Sequence, residues 1–165
     1  MNLEMVSERQ ALAEVLEQQV KELARLVRAF PRERFHVRHD ACGRTPRDLA
    51  AALALQLRHM EELAAGRPAW HVPGELRTPG GIVSEMVSVH FELAATLRDM
   101  APFRWHEVVP AGATVARVRQ ARRGELLWLE LRELVRMGRQ LGRQLGTPPG
   151  ADILPDEPES AAAGR

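Results

Sequence analysis

Apolar residues recur three and four positions apart through four long stretches of this chain. The first stripe is Ala13, Leu16, Val20, Leu23, Val27 and Phe30, a spacing that gathers side chains on one face of a helix. It predicts a helix from Leu3 to Phe30, ended by Pro31, whose ring cannot continue the hydrogen-bond ladder. A second stripe, Leu49, Leu53, Gln56, Met60 and Leu63, follows Thr45-Pro46-Arg47-Asp48. There Thr45 suits an N-cap, Pro46 has the fixed φ of a first turn, and Asp48 suits the positive helix end. Gly66 and Pro68 close this helix.

Thr78-Pro79 repeats the start signal, and a third stripe runs through Ile82, Met86, Val89, Leu93, Leu97 and Met100 until Pro102. The fourth, Leu127, Leu131, Leu134, Gly138, Leu141 and Leu145, predicts a helix from Arg122 to Gly146. Its stripe is read as holding no histidine, cysteine or carboxylate. Two connections break the helical rhythm. "PRERFHVRHDACGR" reads as a loop, and "WHEVVPAGATVARVRQ" as either a short hairpin or an extended crossover, because β-branched residues surround a Pro-Ala-Gly turn. Four amphipathic helices with almost no strand predict an all-α fold, an antiparallel four-helix bundle over residues 1–146. The tail, 147–165, has little to bury and is expected to be flexible.

Composition adds exclusions rather than chemistry. The 165 residues suit one domain, and a net charge of +1 gives no global field for a polyanionic partner. The single cysteine, Cys42, allows no internal disulfide and fits a reducing cytoplasm. The opening "MNLEMVSERQALAEV" lacks the layout of a signal peptide, and no apolar run suits a membrane span. A cytoplasmic protein without membrane contact is therefore expected. Gly-rich phosphate loops, GxSxG elbows and HExxH patterns are absent from the sequence.

Three groups of residues could carry function. His36, His39 and Cys42, with Asp40 between, invite a zinc reading. Structural zinc draws ligands from two separated segments, however, and no second pair occurs, so these read as exposed loop residues. Gln56 lies on the second stripe with His59 and His90 at the flanks of theirs, and together they could line a polar pocket. Burying an amide costs free energy without a partner, and Gln19 on the first helix is a candidate partner. The plainer account makes all of these polar residues satisfied by hydrogen bonds. Lastly, Arg132, Arg136, Arg139 and Arg143 form a ridge away from the leucine stripe, with Arg117, Arg119, Arg122 and Arg123 upstream. Such a ridge can track phosphates. It can equally be a solvated face with Glu125, Glu130 and Glu133 as local partners, and without an aromatic platform nucleic acid is not the expected partner.

The order of parts resembles the DinB/YfiT-like superfamily, the damage-inducible family of four-helix bundles. The likeness rests on "GRTPRDLAAALALQLRHMEEL", on "ARRGELLWLELRELVRMGRQLGRQLG" and on the irregular "FRWHEVVPAGATVARVR" before it. The resemblance implies a bundle that pairs as a homodimer, a link to stress response, and a divalent metal held by one histidine of the second helix and two of the last. Active members include thiol-dependent transferases and isomerases. Here the second-helix ligand falls at Ala52 or Leu53. The last-helix pair falls at Arg132 and Arg136, or at Leu131 and Val135. Aliphatic side chains offer no lone pairs and arginine repels a cation, so a degenerate site with no metal or other cofactor is expected. That leaves a non-catalytic protein binding a small molecule or a partner. The alternative is a metal- or thiol-dependent transferase using Gln56, His59 and His90.

Overall fold

A computed structural model describes residues 3–38, 43–68, 76–111 and 120–146. Among them the chain is mostly helical, with six helices and one two-stranded sheet. The long helices are α1 (Leu3–Ala29), α3 (Pro46–Ala65), α4 (Pro79–Asp99) and α6 (Arg123–Gly146). The short ones are α2 (Arg32–Phe35) and α5 (Pro102–Trp105). Helix α3 lies against α4 and α6, and α1 lies against the same two. No helix among the described residues is long and apolar enough to cross a membrane.

Local chemistry sets the helix ends close to where the sequence puts them. The Thr45 hydroxyl accepts from the Asp48 amide at 3.1 Å, and the Asp48 carboxylate accepts from the Thr45 amide at 3.1 Å, a reciprocal capping box. Those contacts, led by the Thr45 amide, hold the Asp48 carboxyl below its ordinary pKa. Thr78 caps α4 through the Gly81 amide, also at 3.1 Å. Gly66 ends α3 with φ of 70°, a left-handed turn that disfavours other residues.

The exposed carbonyls at the end of α3 are closed from a distant part of the chain. Arg123 is buried and donates to the carbonyls of Leu63 and Arg104 and to the Glu107 carboxylate. Arg104 donates to the carbonyl of Ala65 at 2.7 Å. Two guanidiniums thus complement the negative end of α3. Arg123 is therefore a structural clamp and does not belong with an outward arginine cluster.

All six residues of the third stripe are buried, from Ile82 to Met100 at the end of α4, as are Leu16, Val20, Leu23 and Val27 on α1, Phe30 just after it, and Leu127, Leu131, Leu134 and Leu141 on α6. Gly138 sits where an added Cβ would strike Leu23, so its missing side chain lets α1 and α6 approach closely. Gly124 does the same for the buried ring of Trp105.

Two expectations are corrected. The segment after Pro31 is not wholly loop, because Arg32–Phe35 forms a helical turn that buries Phe35 near Phe30, ring centroids 6.3 Å apart. α5 was likewise not foreseen, and it buries Trp105, whose Nε1 donates to Glu8 at 2.9 Å. Before α6 the hairpin alternative holds for the described part: β1 (Val108–Pro110) pairs antiparallel with β2 (Gln120–Arg122), Val109 opposite Ala121. Residues 112–119 and the tail 147–165 lie outside the described residues.

Candidate functional site

α3 is buried on two sides because it has two long neighbours, and each seam encloses polar groups. On the α6 side, Glu130 is only 1% exposed. It stands three residues after Leu127 and four before Leu134, on the leucine stripe itself. Gln56 Nε2 donates to its carboxylate at 2.5 Å and to its backbone carbonyl at 3.2 Å. His59 Nε2 lies 3.3 Å from its other carboxylate oxygen, near enough for charge attraction but without hydrogen-bond alignment. The Glu130 carboxylate raises the pKa of His59 against the opposing pull of burial.

This geometry redraws the predicted pocket. Gln56 and His59 do come together, but their partner is Glu130 rather than Gln19. No hydrogen bond or ion pair joins His90 to them among the described residues; burial lowers its pKa, with Glu17 and Lys21 of α1 as the charges that act on it. Gln19 is half-buried on α1. Glu130, expected among the solvated partners of the arginine ridge, is instead the buried centre of the group. The stripe therefore does carry a carboxylate.

On the α4 side, Arg58 and Glu85 form a buried ion pair at 2.7 Å, their side chains 7% and 6% exposed. Arg58 also reaches the more exposed Glu92 at 3.0 Å. Glu61, buried one turn along α3, has its pKa raised by burial and by Glu92. A reading that sends charged residues to solvent misses Arg58, Glu61 and Glu85. The signal was the second buried row, Ala51, Ala54, Arg58 and Glu61, at helical spacing.

The positions that the family resemblance assigns to metal ligands do not fit a divalent ion. Leu53 and Leu131 are buried in the core, Ala52 and Val135 are half-buried, and Arg132 and Arg136 are exposed. No oxygen, sulfur or imidazole donor stands at any of them. Among the described residues no three His, Cys, Asp or Glu side chains group to hold a metal. His39, Asp40 and Cys42 lie outside the described residues, while His36 is exposed with its ring edge-on to Phe35.

Arg132, Arg136, Arg139 and Arg143 are all exposed. The ridge is partly neutralised, since Arg136 donates twice to Glu133, at 2.6 and 2.8 Å. Among the described residues, two clefts lie away from the Gln56–Glu130 group. One, of about 240 Å³, lies between Glu8, Trp105, Arg122 and Trp128. The other, of about 680 Å³, lies between the α1–α2 junction and the start of α4. Comparison with family models, curated proteins and solved structures finds no match for the chain.

Proposed function

We propose that this chain is a non-catalytic binding protein built on an antiparallel four-helix bundle of DinB/YfiT-like type, with a degenerate metal site. The observation that carries the reading is the burial of Leu53 and Leu131 in the core, where the resemblance would put lone-pair donors. Gln56, the nearest polar group on that stripe, is already bonded to Glu130. A carboxylate engaged in this way gives a metal a poor start, and one imidazole beside it does not complete a coordination sphere. The transferase alternative needs Gln56, His59 and His90 in one site, and among the described residues Gln56 and His59 are joined through Glu130 while no hydrogen bond or ion pair brings His90 to them. In this reading the protein works as a homodimer, as the resemblance implies, and light scattering on the purified protein reads that state.

The test is metal itself. Elemental analysis of protein purified without chelators is expected to find no stoichiometric zinc, nickel, manganese or iron. Adding each ion in excess is expected to leave Tm unchanged, because a ligand that binds the folded state raises it by linkage. A stoichiometric ion that His59→Ala or Glu130→Gln removes would replace this reading with the metal-dependent one.

A further inference from the structure

The larger cleft has the chemistry of a ligand site, and none of the residues discussed above for the interior group takes part in it. It is lined by Arg28, Arg32 and His36, which are exposed, by Pro79, Thr78 and Gly80 at the start of α4, and by the deeply buried Phe30 and Phe35. The volume, about 680 Å³, is in the range of small-molecule sites. The side chains of Arg28, Arg32 and His36 are exposed and make no hydrogen bond or ion pair among the described residues. No carboxylate appears in the described lining.

The charge is regional, not general. Residues 25–47 hold seven arginines against two acids, Glu33 and Asp40, in a chain whose net charge is only +1. Residues 3–22 are the reverse, with five glutamates against Arg9 and Lys21. Basic residues in a last helical turn suit the helix dipole, which accounts for Arg28. Arg32 and His36 lie beyond α1, in and just after the single turn of α2. Guanidiniums around an apolar floor favour an anion that brings an apolar body, because the head gains charge-assisted hydrogen bonds while the body leaves water.

The geometry points to a binding site, at this cleft, for a small organic anion: a carboxylate or phosphate head on an apolar body. This deepens the reading of the chain as a binding protein and rests on it. The head sits between Arg28, Arg32 and His36, and the body covers Phe30, Phe35 and Pro79. The start of α4 adds partial positive charge to the same rim.

Decanoate, kept below its micelle-forming concentration, and octyl phosphate are the probes, followed by amide-resolved NMR on the full chain. Saturable shifts centred on His36, Thr78 and Gly80 are expected. Whichever probe binds more tightly assigns the head group. Decanol, with the same body and no charge, is expected to bind at least about tenfold more weakly. The double variant Arg28→Glu/Arg32→Glu is expected to weaken decanoate by about tenfold or more while circular dichroism stays unchanged, since both side chains are exposed. Arg28→Gln/Arg32→Gln gives the same direction with a milder change of charge. Equal binding of decanol, unchanged affinity in both variants, or shifts centred elsewhere would overturn the proposal. So would a short single-stranded oligonucleotide that binds more tightly than decanoate and is lost in the same variants. Metal content and turnover are read separately, so failure of the cleft and failure of the binding-protein reading give different results.

Discussion

The two seams of α3 bury polar groups in opposite ways. Toward α4, the permanent cation of Arg58 meets the carboxylate of Glu85, with both side chains nearly inaccessible. Toward α6, the carboxylate of Glu130 meets a neutral amide and an imidazole whose charge depends on pH. The cation of the first pairing is permanent, whereas the second has a cation only when His59 carries a proton. A buried ion pair seldom adds net stability over an apolar pair, but losing one partner leaves an expensive lone charge. That asymmetry makes the seams separable by mutation.

The largest effect is expected at the first seam. Arg58→Met removes the buried cation 2.7 Å from Glu85 and should cost about 3–5 kcal/mol by urea unfolding at neutral pH. Adding Glu85→Leu should recover most of the loss, because the buried carboxylate that faced the cation is then gone as well. A single variant as stable as the parent would show that the pair is not buried in solution. The second seam should respond less. Glu130→Leu removes the carboxylate acceptor of Gln56, whose amide keeps only the backbone carbonyl of residue 130, and should cost about 1 kcal/mol, with Gln56→Leu restoring stability in the same way. The smallest effect is that of His59→Gln, and it depends on pH. Glu130 raises the folded-state pKa of His59 above 6.5, so the folded chain holds that proton more tightly than the unfolded one. The resulting stability is full below about pH 6.5 and fades as pH rises through the folded-state value. Parent and variant should therefore differ at pH 5.5 and converge at pH 9. Divergence toward alkaline pH would reverse the sign and refute the His59–Glu130 attraction.

Much of the helical frame was legible because it repeats a local rule. Thr45-Pro46 and Thr78-Pro79 state two helix starts outright, and the stripes of α1, α4 and α6 name most of the core. The turns Arg32–Phe35 and Pro102–Trp105 were not legible, since four residues cannot display a period, and their burial depends on long-range packing of Phe35 and Trp105. The site was legible only in part. Gln56 stood out as an amide on an apolar stripe, but its partner did not. Glu130 has the right spacing, yet a carboxylate flanked by Leu129 and Leu131 on an arginine-rich helix looks solvated until α3 is placed against it. Arg58 and Glu85 escaped for a related reason. A single-stripe reading allows one buried face per helix, and α3 has two.

In the proposed reading the Gln56–Glu130 group closes the interior structurally, while an organic anion binds at the basic cleft. The most direct test is the affinity of Gln56→Leu/Glu130→Leu for decanoate, read at the amides of His36, Thr78 and Gly80. Apolar replacements of similar volume should leave the fold intact, and the account predicts an affinity equal to that of the parent. A folded double variant that no longer binds decanoate would contradict it, and would place the working site in the interior after all.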